Sequence, residues 1–361
     1  MAIAISIPVV STLLAVAEPP GPNWEHLQET VLHEYVLNSL ALMALTGAVS
    51  LVLGVGTGWL IGACGFKGRE TLSWLLMLPL AAPAYIVAYV YTDLLEVSGP
   101  VLTALRSLLS LDVGELPLPS IRTLPGAAIL LSLVLYPYIY LLSRNSFAGR
   151  SGAQFDAARV LGHGPYSAFF RIALPASRPA ILGGLALVLM ETLADFGVVS
   201  YFSVPTFSTG IFRTWLGLGD ATAALRLAAF MLLFVVMLIV LEERNRHGTT
   251  DSSDLTQASR INLTGVKAGL AIAACLVPVM LGFAIPVTTL LIYASEHLQQ
   301  NTSANFFRMT VNSVSLALTA SVAITLIAWL LAYTKRMYPS PLNNSLIRVS
   351  TIGYALPGIL L

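Results

Sequence analysis

The stretch SGAQFDAARVLGHGPYSAFFRIALP, residues 151–175, is a basic segment held between two strongly apolar runs. It carries its own helix punctuation. Ser151 followed by Gln154 forms a capping-box pattern, which predicts a helix start. Gly162 suits a helix C-terminus. Gly164-Pro165 suits the start of a second helix, because proline is tolerated in a first turn. Pro175 is expected to stop that second helix. The pattern predicts two short helices at a sharp turn between membrane spans.

The flanking chain sets the class. Of 361 residues, 56% are hydrophobic and 10% charged, with a mean hydropathy of +0.80. A soluble domain carries about 25% charged residues. The composition therefore predicts an all-α, polytopic membrane bundle. A net charge of +1 is no footprint for nucleic acid. Cys64 and Cys275 suggest neither a disulfide scaffold nor a zinc site. There is no Walker-type phosphate loop, so ATP hydrolysis would belong to a partner. No nucleophile pair or catalytic His/Asp/Glu cluster points to a membrane-embedded enzyme, and no cofactor is expected.

Apolar runs predict spans near residues 2–17, 37–63, 72–91, 127–142, 180–201 and 223–241. Later spans are expected at 268–293, at 311–333 and from about 346. Residues 2–17 end in Ala15-Val16-Ala17, like a signal-peptidase site, but no positive residue precedes it, which favours a span. In the acidic segment 18–36, His26, Glu29 and His33 would share a helix face, either as a metal site or as a solvated face. Gly54, Gly58 and Gly62, spaced four apart, predict close helix packing. Pro79 and Pro83 predict a kinked or broken span. Tyr136, Tyr138 and Tyr140 form an interfacial belt or line a polar pathway. Glu191 and Asp195 lie four apart in an apolar run. Carboxylates there line a translocation path, or make an interhelical hydrogen bond, or sit at a wet outer mouth.

The run Asp156-Ala157-Ala158, three residues, Gly162, nine residues, then Ile172-Ala173-Leu174-Pro175 resembles the "EAA" loop of permease subunits of bacterial ABC importers, the binding-protein-dependent type I (MetI-like) family. This chain has Asp where the family usually has Glu. The resemblance implies a coupling helix that docks on a cytoplasmic ABC ATPase dimer through Asp156, Ala157, Ala158, Leu161, Gly162 and Pro175. It also implies a periplasmic or lipid-anchored substrate-binding protein as partner. The residues themselves fit helix-in-groove docking, since Ala157, Ala158 and Gly162 leave one side small. An amphipathic helix on lipid headgroups is the other reading, and Arg150, Arg159, Arg171 and Arg178 suit it. Residues 190–197 and 202–220 resemble fused-type iron(III) permeases, which implies ferric iron as cargo ahead of sulfate, molybdate, thiamine or polyamine. Glu191, Asp195 and Tyr136 are the candidate path residues.

The second half restarts the first. Asn38-Ser39 and Leu42 recur as Asn312-Ser313 and Leu316, and Pro83 recurs as Pro357 at the same separation. Such repeats mark transporter folds. The expected organisation is a first permease half over 1–241, a cytoplasmic linker over 242–267, and the start of a second half over 268–361, ending before a second coupling loop. Basic turns at Lys67/Arg69, Arg144 to Arg178, Arg244 to Arg260 and Lys335/Arg336 fall on one side. The positive-inside rule makes that side cytoplasmic, along with the amino terminus, and the resemblance implies a bacterial inner membrane. A secondary transporter using Glu191 and Asp195 as ion sites is the competing class.

Overall fold

The computed structural model describes residues 21–110, 120–149, 157–246, 260–301 and 304–338, with isolated positions beside these. The expected spans at 2–17 and from 346 lie almost wholly outside the described residues.

In chain order the elements begin with α1 (Trp24–Thr30), α2 (Leu32–Ala63) and a short β1 (Cys64–Gly65). Next come α3 (Arg69–Leu75), a 3-10 turn (Leu78–Ala81), α4 (Ala84–Leu95), α5 (Pro100–Leu109) and α6 (Leu124–Ala148). After the loop, α7 (Pro165–Ala168) leads through a π turn (Phe169–Ala173) and Leu174–Ala176 to α8 (Arg178–Ala194). Then follow α9 (Gly197–Tyr201), α10 (Phe207–Phe212), a π turn (Arg213–Gly217) and α11 (Ala221–Arg246). The last part holds β2 (Ile261–Asn262), α12 (Val266–Val279), a π turn (Met280–Ala284), α13 (Ile285–Asn301) and α14 (Ala304–Met337). Among the described residues, five helices are long and apolar enough to cross a membrane, or seven if two bent pairs each count as one span.

The frame is α2 against α6. The glycine stripe does what its spacing predicts. A Cβ on Gly54 would lie 2.6 Å from Ile139 Cβ and 2.9 Å from the Tyr136 carbonyl, and one on Gly62 would lie 2.8 Å from the Arg144 carbonyl. With no side chain there, the two backbones touch. Hydroxyls then bond across the seam. Ser132 donates to the Thr46 carbonyl at 3.1 Å, and Ser143 to the Gly54 carbonyl at 3.2 Å.

The prolines break the third span as expected. The segments Arg69–Ala81 and Ala84–Leu109 meet at 90°. The break orphans carbonyls, and tyrosines supply the missing donors. Met77 N–H goes to Trp74 rather than Ser73, and Leu80 N–H goes to Met77 rather than Leu76. Tyr140 OH donates to the Ser73 carbonyl and Tyr136 OH to the Leu76 carbonyl, both at 3.0 Å. A buried carbonyl without a donor costs several kcal/mol in hydrocarbon, by order of magnitude. The same device recurs in the later half. Ile285 N–H bonds to Met280, Pro286 has no N–H, and Tyr91 OH donates to the Leu281 carbonyl at 2.6 Å. Tyr136 and Tyr140 are fully buried at this seam, so they form neither a belt nor a pathway wall.

Other expected boundaries move for local reasons. The span expected at 180–201 ends at Ala194, and α9 follows as a separate helix. The stretches that fall between expected spans, 93–125 and 202–220, each contain helix, α5 and α10 respectively. The end of the linker is pinned, because β2 pairs in parallel with β1, Cys64 opposite Ile261. The early part of the second half packs on the first. Cys275 and Val279 share a buried cluster with Ile61, Leu72, Tyr136 and Tyr140. Tyr293 OH donates to Asp93. By contrast, none of the apolar window of α14 is buried.

Asp220 ties the start of the chain to α11. One carboxylate oxygen accepts Ala223 N–H at 2.9 Å. The other accepts both the backbone N–H and the side-chain amide of Asn23 at 3.2 Å. Burial pushes the Asp220 carboxyl up, but the N–H donors of Ala223, Asn23 and Thr222 outweigh burial and hold it below the usual aspartate value.

Candidate functional site

The first candidate is the segment 157–176. Asp156, like Ser151 of the expected capping box, lies outside the described residues. Residues 157–160 are helical. The helix ends in a Schellman turn: His163 N–H bonds to the Ala158 carbonyl at 3.1 Å and Gly162 N–H to the Arg159 carbonyl at 3.0 Å. Gly162 has φ +90°, the left-handed conformation this turn requires. A Cβ at Gly162 would meet no atom of this chain within 4 Å, so within the chain the glycine serves the turn. Ala157 is exposed, whereas Ala158 faces inward and belongs to the bundle core. The outward face is not small. It carries Val160 and Leu161, 88% and 81% exposed.

The segment is seated on the bundle by aromatic rings. Phe169 lies 4.6 Å from the Trp59 ring and 6.1 Å from the Phe147 ring, centroid to centroid. The helical stretch from Pro165 ends at Ala176, one residue past Pro175. Pro175 sits in the first turn of Leu174–Ala176, where its missing N–H is not needed. A 63° bend then separates Phe169–Ala176 from α8.

The second candidate lies along α8, about 20 Å from Arg178 by helical rise. Glu191 and Asp195 line a cavity of about 350 Å³ together with Tyr138 and Leu80 and Ala84, which flank the proline break. The two acids do share a cavity, but not one helical face, since Asp195 lies beyond the end of α8. Its carboxylate accepts the Val198 and Val199 N–H groups at 3.0 and 3.3 Å, which starts α9. Its backbone carbonyl accepts Ser208 OH at 2.6 Å. The tyrosine on this cavity is Tyr138, and Tyr136 points away into the seam with α3. A neighbouring cavity of about 400 Å³ is lined by Glu34, Tyr35 and Arg213, among others. Neither Arg213 nor Phe196, which borders both cavities, stood out in the sequence. Nothing local marks them, because their neighbours come from other helices.

Among the described residues, no three His, Cys, Asp or Glu side chains group as metal ligands. His26 and Glu29 fall on α1, which ends at Thr30 before His33.

Three relatives are informative. The chain is 26% identical over 185 residues to a probable molybdenum ABC transporter permease protein of Haloferax volcanii, covering 51% of this chain and 64% of the relative. It is 28% identical over 167 residues to the molybdenum transport system permease protein ModB of Escherichia coli K12, covering 46% and 70%. It is 29% identical over 179 residues to the spermidine/putrescine transport system permease protein PotB of Haemophilus influenzae, covering 49% and 60%. The chain thus spans about two thirds of these relatives' own length, and none of the three is described as an iron permease. Among solved structures, a bacterial alginate ABC transporter in complex with an alginate pentasaccharide-bound periplasmic protein shares the fold. Its TM-score is 0.54 at 18% identity, over 66% of this chain and 88% of that one. The family described as "Binding-protein-dependent transport system inner membrane component" matches residues 54–243, more than half of the sequence, and the chain belongs to that family.

Proposed function

We propose that this chain is the membrane-spanning permease subunit of an ATP-driven importer, moving a solute handed over by a substrate-binding protein. The segment 157–176 faces the cytoplasm and docks on a separate ABC ATPase. The observation that carries the docking is the exposed Val160–Leu161 pair at a turn whose shape Gly162 sets. An apolar pair on the outward face of a short helix seated on the bundle suits insertion into a partner's groove. When the ATPase subunits close, the rings of Phe169, Trp59 and Phe147 pass the displacement to α2 and α6. The chain itself performs no covalent chemistry.

The cargo is a cation. Glu191 and Asp195 put carboxylates on the cavity, which favours positive charge and opposes an oxyanion. Of the solutes in the relatives' names, polyamines fit this better than molybdenum. Ferric iron, the expectation from residues 190–197 and 202–220, also fits, because hard cations take oxygen ligands.

Two measurements test the reading. Leu161→Asp is expected to abolish co-purification of the ATPase; uptake that continues with no ATPase bound would instead favour a gradient-driven transporter. Uptake of labelled ferric iron, spermidine and molybdate, with and without the gene, identifies the cargo. Loss of molybdate uptake alone would overturn the cationic assignment.

A further inference from the structure

Three cavities meet at one ring. Phe196 is the single lining residue shared by the Glu34–Arg213 cavity and the Glu191–Asp195 cavity. It also borders a third cavity of about 510 Å³, walled by Tyr85, Tyr89 and Leu290. Phe196 occupies the break between α8 and α9. The backbone there is held on both sides, by the Asp195 carboxylate receiving Val198 and Val199 N–H and by Ser208 OH on the Asp195 carbonyl. The ring itself rests on Phe212, centroids 4.6 Å apart and planes tilted by 36°. An apolar residue thus borders two cavities lined by charged side chains, and its backbone is anchored by hydrogen bonds.

We propose that Phe196 is the barrier on the solute path. Its ring seals the Glu34–Arg213 chamber from the Glu191–Asp195 chamber, and it opens by swinging off Phe212 into the cavity beside Tyr85, Tyr89 and Leu290. A hydrophobic constriction blocks ions and water at little structural cost, and a side-chain rotation suffices to clear it. The fixed backbone makes this a rotamer change, and the third cavity provides the room. The proposal rests on the permease reading above for its direction, but not for its geometry.

The test uses the full chain in intact cells, with an impermeant maleimide and a cysteine at Glu191→Cys or Glu34→Cys. The native Cys64 and Cys275 are buried and free, so their labelling reports misfolding. Phe196→Ala is expected to speed labelling at position 191 about tenfold or more, since open conformers are ordinarily a minor state. Leu290→Trp, which fills the swing space, should slow it. Position 34 should label equally in all backgrounds. An unchanged rate at 191 in Phe196→Ala, with Cys64 and Cys275 still protected, overturns the barrier. If position 34 labels only in inverted vesicles, the orientation in the proposed function fails. The comparison of Phe196 with Phe196→Ala, repeated in those vesicles, then decides the barrier by itself.

Discussion

Helices α2 and α14 begin with the same words and end in different surroundings. In α2, Asn38 donates its side-chain amide to the Pro205 carbonyl at 2.9 Å, and Ser39 Oγ accepts Phe207 N–H at 3.1 Å. Leu42, on the same stripe, is 2% exposed. In α14 the matching Asn312 and Ser313 are exposed, and Leu316 is 71% exposed. The motif is a pair of polar teeth that reads a backbone carbonyl and an N–H two residues apart. It becomes core only where such a segment reaches it. In the first half that segment is the start of α10, 167 positions along the chain from Asn38. Similar sequence therefore does not imply similar burial; the partner supplies half of the interaction.

The largest expected contrast comes from the small-residue stripe. Gly54→Leu forces a Cβ against Ile139 and the Tyr136 carbonyl, so it should cost roughly 1–3 kcal/mol or more, as overpacking does. Ala328, at the corresponding place in α14, is exposed, and Ala328→Leu should leave the thermal melt in detergent unmoved. Equal losses in the two would erase the distinction between these helices.

Next come the polar teeth. Ser39→Ala removes a buried hydrogen bond and Asn38→Ala a partly buried one, each worth about 1 kcal/mol. Asn312→Ala and Ser313→Ala should stay within about 0.5 kcal/mol, the usual range for exposed positions. Denaturant melts of the four variants sharpen the comparison to single bonds.

A smaller effect is expected at Asp220, which clamps the segment leading into α1 and α2. Its carboxyl is held low in the folded state, so its contribution is present above the ordinary aspartate value of about 4 and is lost as pH falls through the folded value. Asp220→Asn should therefore melt earlier than the parent at neutral pH, and the gap should close in acid. A gap that persists below about pH 3 would mean packing rather than charge is at work.

The smallest effect on the stability of the bundle is expected for Gly162→Ala. Strain at φ +90° costs about 1–2 kcal/mol locally, but nothing lies near the new methyl. Bundle stability should hold while the turn loosens, which limited proteolysis at 157–164 would report.

Much of this was legible in advance. Spans show because a bilayer demands about twenty apolar residues in a row. The glycine stripe and the proline break show because both act through the backbone of their own helix. The loop turn shows because Gly162 answers a local requirement for positive φ. Asp195 was misplaced because apolar residues run on through 201 without a break in pattern, and the end of α8 leaves no mark in hydropathy. Tyr136 was misread because its partner is a carbonyl orphaned on another helix. Leu161 is legible through the loop resemblance, but Val160 beside it is not, because which side of the helix is exposed depends on how the loop sits on Trp59 and Phe147.

The order of residues alone determined that this is a helical membrane bundle, where its helices can approach closely, where one must break, and that a short turned helix interrupts it. Those features are satisfied within a few residues, by hydropathy, by the lack of a side chain, or by the lack of an N–H. Tertiary structure alone decided which hydroxyl repairs which broken carbonyl, which acid faces a cavity, which residue borders two cavities, and which of two similar helices is covered. Each of those needs two groups far apart in the chain to meet, and no local pattern records the meeting.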